Sequence, residues 1–499
     1  MVAGSIKSIF AGGALLLLAA CAGVPATTPL PPPSLDAVEA DLARDIAALA
    51  DDSFGGRFPG TEGERKTRAW LIEKYAAIGL EPAVPSGPDG AREWTQSFTV
   101  VRRRPSEQPG ASSARATRGG RSVDLSMGLI GVDGAQDAPG FADLPLVGLD
   151  PDVEDLRPRS LANRGLVLPA SDLMRLGGQM TAAEPRAMII TSADQATFDG
   201  VASFLKRGRW QLDSDEGSPA ILLLSPEASK KLTGLIGDTA KRKPDSAGVI
   251  AYDTILQGSI AQEVERIETA NVVGRLPGKV EGSGAVLMLA HWDHLGDECR
   301  PPEAADRICN GAVDNASGLA VMTEAVRLAA RQGQLDRDLI VLATSSEELG
   351  LLGAQAFVAD PPVPLPTIAA AFNLDTMAIA PRGAPISVIG WGRTPLDPGI
   401  GIVADQLGRT LANADWQNAF LRRQDGWAFL SRDVPTVLVS SALADKDAFD
   451  RFMQGEYHGP ADEFSTGIEL GGAAEDTVLH AALLRYFGSL SKYPGARMK

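Results

Sequence analysis

Histidine is scarce in this 499-residue chain, which has only four. Three of them, His291, His294 and His458, fall in two short polar motifs, a concentration that sets those motifs apart from the rest of the sequence. The fourth, His480, lies in an apolar stretch of helical spacing, where a structural role is expected. Positive charge is short as well: 47 Lys and Arg stand against 63 Asp and Glu, a formal net charge of −16 that is spread along the chain rather than gathered in a tail. Phosphates would be repelled, which excludes nucleic acid as a partner. With 44% apolar and 22% charged residues the composition is that of a globular protein, neither disordered throughout nor a multi-span membrane protein. At this length one hydrophobic core is outgrown, so a second, nested domain is expected.

Cysteine is nearly absent, with three. The first, Cys21, closes a segment that begins with Lys7 and continues through an apolar run from Ala14 to Leu18. Residues 1–20 read as a signal peptide, the run being too short to span a bilayer as a mature helix. The tetrapeptide Leu18-Ala19-Ala20-Cys21 resembles a bacterial lipobox, in which the cysteine thiol is acylated and becomes the new N-terminus. Residues 21–34, with Pro31, Pro32 and Pro33 in a row, then read as an extended, lipidated tether. This places the protein in a bacterial cell envelope, facing the periplasm or the exterior, with membrane association through a lipid on Cys21. The remaining pair, Cys299 and Cys309, flanks one loop in a compartment where disulfides form, so a disulfide is expected. Metal ligation by that pair is not, because better ligands lie on both sides.

Along the chain, Leu35, Val38, Leu42, Ile46 and Leu49 recur at helical spacing. The Gly-rich turn Phe54 to Gly63, FGGRFPGTEG, reads as a structural loop more readily than as a phosphate cradle. It feeds a second helix with Leu71, Tyr75 and Ile78 on one face and Gly79 as its stop. From Pro105 to Arg121 the chain is polar and basic and reads as an exposed loop. The next stretch, to about Tyr252, offers short apolar runs such as Gly165 to Leu168, Ala187 to Ile190 and Ala220 to Leu224, without clustered ligands. From Asn271 long apolar strands alternate with helices, the pattern of a largely parallel sheet covered on both faces.

Each of three of these strands runs directly into acidic or histidine residues, where open α/β sheets place their functional groups. The first ends AHWDHLG, and its His291-x-Asp293 pair points both side chains the same way, so Asp293 could hold His291 as a carboxylate holds a metal-bound imidazole. In NGAVDNASG, Asp314 could be a ligand or the N-cap of the following helix. In LIVLATSSEELG, Glu347 and Glu348 are adjacent carboxylates that a cation would relieve, or an acidic first turn on a helix dipole. In FNLDTMA, Asp375 follows so apolar a run that it requires a partner. YHGPADEF adds His458. Together these groups suffice for two divalent ions sharing one carboxylate.

With NVVGRLPG, HWDHLG, NGAVDNASG, SSEELGLLGAQAF, NLD and YHGPADEF in this order, the sequence resembles the co-catalytic zinc peptidase family that includes bacterial leucyl aminopeptidase and glutamate carboxypeptidase. The resemblance covers about Asp36 to Phe98 and Asn271 to Tyr493. It implies a three-layer α/β/α fold with a mostly parallel mixed sheet, formed by residues 35–125 and 256–499, and a small β-rich insertion, residues 126–255, resembling a protease-associated domain. It also implies two zinc ions, one held by His291 and Asp375, the other by Glu348 and His458, with Asp314 bridging. Glu347 would be the general base and Asp293 would orient His291. In the same family the Asp314–Asn315 peptide is often cis. One departure stands out: in Gln424-Asp425-Gly426 a glycine occupies a position where histidine is common.

Peptides are the expected substrates, and the absence of an arginine cluster near the motifs favours an aminopeptidase over a carboxypeptidase, with Arg422 and Arg423 the residues that weaken the case. The competing readings are a one-zinc glutaminyl cyclase-like acyltransferase and a non-catalytic binding protein, the latter disfavoured because no ligand position is missing.

Overall fold

In the computed structural model, residues 338–344, 285–291, 368–373 and 436–440 form parallel strands at the centre of a nine-stranded sheet. The structure describes Met1 and residues 34–495, apart from 88–89, 138, 151–152, 154–159, 174–182, 214–218, 238–241, 302 and 465–466. The expected signal peptide, Cys21 and the tether up to residue 33 lie outside the described residues. No helix among the described residues is long and apolar enough to cross a membrane.

The central strands are parallel because helices return the chain from one to the next. Gly318–Arg331 separates Ala285–His291 from Asp338–Thr344, and Leu352–Ala359 precedes Ile368–Asn373. Outside this centre the pairing is antiparallel: Gln262–Leu276 joins Asp338–Thr344 to Thr95–Pro105 on one side, and Ser387–Ile389 closes the other. Alternation along Ala285–His291 sends Val286, Met288 and Ala290 into one buried cluster and Leu287 and Leu289 into another. The first cluster is closed by the helices Leu35–Leu49, Glu62–Ile78, Gly318–Arg331 and Gly471–Phe487, and the second by Leu352–Ala359 and Gly426–Leu430. Side chains such as Phe372 and Phe357, fully buried in these two layers, each contribute about 1.5–3 kcal/mol. The result is the expected α/β/α sandwich, with parallel pairing confined to its core.

Both helix boundaries read from sequence hold at the start of the chain. Ser34 Oγ accepts the Ala37 N–H at 3.1 Å and caps Leu35–Leu49. Gly79, at φ 97°, ends Glu62–Ile78 in the left-handed conformation that lacks a steric penalty only for glycine. The segment expected to be a loop, Pro105 to Arg121, is a correction. It contains the strand Ser113–Arg118, which forms a hairpin with Arg121–Asp124 and pairs with Val249–Ser259. These belong to a second, eight-stranded sheet that also takes Gly165–Pro169, Ala187–Thr191 and Ala220–Leu224. Arg209–Leu212, from the middle of residues 126–255, instead pairs with Thr95–Pro105 and joins the larger sheet. Residues 33–499 form one compact unit.

Candidate metal centre

Three adjacent parallel strands deliver their last residues to one place. Ala285–His291 ends on His291, followed by Asp293 and His294; Asp338–Thr344 is followed by Glu347 and Glu348; Ile368–Asn373 is followed by Asp375. Ser346, just before Glu347, and Thr376, just after Asp375, both have positive φ and bend the chain where the acidic residues are placed. Asp314 comes from the irregular segment Ala312–Ser317 that opens the helix Gly318–Arg331, and its peptide bond to Asn315 is cis. His458 arrives from a loop far along the chain, itself at φ 55°.

The side chains converge. Asp314 Oδ1 lies 3.2 Å from His291 Nε2, while its Oδ2 lies 3.4 Å from His458 Nε2, so one carboxylate faces two imidazoles from its two oxygens. Asp375 Oδ1 is 3.6 Å from His291 Nε2, and Glu348 Oε2 is 2.8 Å from His458 Nε2. Ligand atoms of His291, Asp314 and Asp375 lie within 4.8 Å of one another, as do those of His294, Asp314 and Glu348. His291 Nε2 and His458 Nε2 are buried yet make no hydrogen bond of normal geometry. Buried ring nitrogens left without a partner, facing carboxylate oxygens, form a borderline-to-hard N/O donor set that suits zinc.

Two side chains behave differently from the expectation. The carboxylate of Asp293 lies 3.9 Å from His291 Nδ1, an ion-pair distance rather than a hydrogen bond. His291 Nδ1 pairs with the main-chain carbonyl of Asp293 at 3.1 Å, while the Asp293 oxygens accept the main-chain N–H groups of Glu347 at 3.0 Å and Glu348 at 3.3 Å. Asp293 therefore sets the His291 tautomer through its backbone and the glutamate pair through its side chain. His294, to which no role was assigned from sequence, is fully buried and directs Nδ1 at Glu348 Oε1, 2.6 Å away. Its place one residue after Asp293 was the available signal.

Residues 271–482 match the description of Peptidase family M28. The matched segment takes in the histidine and carboxylate motifs and covers less than half of the chain. A vacuolar membrane protease from Candida dubliniensis is 28% identical over 130 residues, 26% of this chain, and the chain spans only 13% of the length of that fungal protein. Among solved structures, an aminopeptidase from Aneurinibacillus sp. strain AM-1 matches with TM-score 0.47 and 15% identity over 92% of this chain and 94% of its own. BSAP, a zinc aminopeptidase from Bacillus subtilis, matches with TM-score 0.42 and 16% identity over 89% and 94%. A glutaminyl cyclase from Porphyromonas gingivalis gives TM-score 0.42 and 12% identity over 90% and 97%.

Within the M28 segment, electrostatics follow from burial of so many carboxylates. Burial, reinforced by Asp375 and Glu348, holds the Glu347 carboxyl well above the usual range. Burial and the Glu348 charge push Asp293 up to about 7. For Asp314 burial acts upward, but the imidazoles of His291 and His458 facing its two oxygens hold it well below the ordinary value. Burial lowers His458, and Asp314 and Glu348 overcome it, raising the imidazole to about 10.

A pocket opens beside Asp314, Glu347 and Asp375, with Ile389, Leu438, Leu443, Phe420, Phe449 and Met453 as its apolar wall and Arg423 and Tyr457 at its edge. The unusual Gln424-Asp425-Gly426 segment lies against it. Gln424 Oε1 accepts from Gly426 N and Asn373 Nδ2, both at 2.7 Å, and a Cβ on Gly426 would come within 2.6 Å of that oxygen. The glutamine amide thus occupies the space that a side chain at 426 would need. Asp425, pushed up to about 6 by burial, accepts from Thr344 Oγ1.

Proposed function

We propose that this protein is an exported aminopeptidase that releases N-terminal residues from peptides, using two zinc ions and Glu347 as general base. The observation that carries the reading is Asp314, whose two oxygens face His291 and His458 separately. In this reading His291 and Asp375 would hold one ion and Glu348 and His458 the other, with Asp314 available to both. Bound zinc supplies Lewis-acid polarisation of the scissile carbonyl and acidifies the attacking water.

The chain's own groups do the rest. Glu347, buried at the pocket beside Asp314 and Asp375, takes the proton of the attacking water and passes it to the leaving amine. Asp293 keeps Glu347 and Glu348 in register by holding both of their main-chain N–H groups, so that one glutamate ligates while its neighbour moves a proton. The apolar wall of the pocket receives a side chain of the substrate, and the acidic residues at its mouth attract the substrate ammonium.

Export rests on the N-terminal sequence and is supported by the bond between Cys299 and Cys309, with Cα atoms 6.3 Å apart, which suits an oxidising compartment. Anchoring by a lipid on Cys21 belongs to the same reading, as does a protease-associated-like insertion at residues 126–255, which supplies most strands of the second sheet.

A carboxypeptidase reading is favoured by one observation, Arg423 in the lining of the pocket, its guanidinium over the Phe420 ring; Arg422 lies over Trp427. An Arg423→Ala variant separates the two: an aminopeptidase keeps its rate on aminoacyl anilides, which have no carboxylate. The main test is elemental analysis of the purified protein with hydrolysis of aminoacyl chromogenic substrates by wild type and Glu347→Gln. About two zincs per chain, retained by an inactive variant, support the reading. One zinc with cyclisation of N-terminal glutamine assigns it to the cyclase class, and no metal with no hydrolysis overturns it.

A further inference from the structure

We propose that Arg57 is a positioning residue for the metal centre, one guanidinium that fixes the backbone of two ligand-bearing loops relative to each other; this rests on the two-zinc reading above. Arg57 is fully buried and stands in the left-handed region at φ 60°, at the end of the turn Asp52–Arg57. Its Nε donates to the carbonyl of Trp292 at 2.8 Å. Nη1 donates to Leu49 at 2.8 Å and to Asn310 at 2.6 Å, and Nη2 to Gly311 at 3.0 Å.

The targets make the case. Trp292 is the residue between His291 and Asp293, and Asn310 and Gly311 lead directly into Asp314. One rigid fork of donors therefore ties the strand end that carries His291 to the segment that carries the bridging carboxylate, and anchors both to the first helix through Leu49. Among the described residues no acidic side chain hydrogen-bonds it, although Asp462, Asp293, Asp314 and Glu348 are close enough for their charge to act on it. A buried arginine among carboxylates that donates only to main-chain carbonyls is placed for geometry rather than for an ion pair. The turn is pressed home: a Cβ on Gly56 would come within 2.3 Å of the Cys309 carbonyl oxygen and 2.5 Å of Gly296 Cα, so Arg57 enters between the two loops from a backbone that already touches them.

Positioning and plain electrostatics predict opposite signs. Removing a cation near a site for divalent ions strengthens metal binding on charge alone, whereas loosening both ligand loops weakens it. The experiment is zinc affinity by chelator competition on the full chain for wild type, Arg57→Met, Arg57→Lys and Arg337→Met. Arg337 is the control, a buried arginine that donates to the carbonyls of Phe487 and Tyr493 at the other end of the strand Asp338–Thr344. Thermal melts of the metal-free proteins accompany the titrations.

The expected result is a fall in zinc affinity of about tenfold or more in Arg57→Met. Arg57→Lys falls likewise, because an ammonium cannot reproduce the fork, and Arg337→Met lowers the melting temperature with zinc affinity unchanged. Should Arg57→Met not fold, Arg57→Lys, which keeps the buried charge and stem, decides alone. Unchanged or tighter zinc binding in the Arg57 variants overturns the inference while leaving the two-zinc reading intact. A wild type that binds no zinc overturns both.

Discussion

Asp462 accepts the main-chain N–H of Asp314 at 3.0 Å, and that of Val313 at 2.7 Å. Its own carbonyl takes the N–H of Ala312. The loop that supplies His458 thus holds, four residues later, the segment that supplies Asp314, so the two segments are coupled.

From this follows the first prediction. Asp462→Ala leaves two buried N–H groups without acceptors and frees the Asp314 segment, and zinc affinity should fall about 10- to 100-fold. Asp462→Asn, which keeps one carbonyl oxygen, should fall by less. Chelator competition on both variants reads the effect, and equal affinity in wild type and Asp462→Ala would show the clamp to be inert.

A second prediction separates two imidazoles near Glu348. His294 Nδ1 meets Glu348 Oε1, while His458 Nε2 meets Oε2. If His458 ligates and His294 only orients the glutamate, His458→Ala lowers the zinc count from about two to about one, whereas His294→Ala keeps both ions with weakened affinity. Elemental analysis at matched free zinc distinguishes them, and loss of an ion from the His294 variant alone would reverse the roles.

How far the sequence reveals this site depends on which interaction is asked for. The strand-terminal placement of His291, Glu347, Glu348 and Asp375 was legible because long apolar runs end abruptly in charge, and the sheet geometry then brings the ends together. Arg57 was not legible: its partners are main-chain carbonyls, three of the four more than 230 residues away, which leave no pattern in side-chain identity. The same blindness to backbone explains Asp293, whose spacing from His291 suggested a carboxylate bond that its carbonyl makes instead. In Ser113–Arg118 the inward residues are Ala114 and Ala116, too small to write a visible alternation among arginines, so a strand read as a loop.

Third, metal uptake should release protons. In the metal-free protein burial lowers His458 but Asp314 and Glu348 overcome it and hold it at about 10, so that ring is protonated at pH 7. Ligation requires the neutral ring, so zinc binding at His458 should displace about one proton or more per chain at pH 7. Calorimetry in buffers of different ionisation enthalpy measures the number. The stability sign is also set. A folded-state value raised above the unfolded one favours the fold fully below about pH 6.5, and that contribution is lost as pH rises through about 10. Chelated protein should therefore lose melting temperature across this interval. No proton release at pH 7 would mean that the imidazoles are already neutral.

Fourth, the pocket predicts substrate preference. Its wall of Ile389, Leu438, Leu443, Phe420, Phe449 and Met453 is apolar, so a charged side chain would lose its hydration there. Leucyl and phenylalanyl anilides should therefore exceed the alanyl one in kcat/KM by about tenfold or more, since a single methylene in an apolar pocket is worth about 1–3 kcal/mol. The aspartyl and lysyl compounds should rank last. Met453→Ala widens the wall without touching the zinc ligands, so it should lower kcat/KM for the leucyl substrate while leaving zinc content unchanged. A polar or charged residue at the head of the ranking would place the substrate side chain elsewhere than in this pocket.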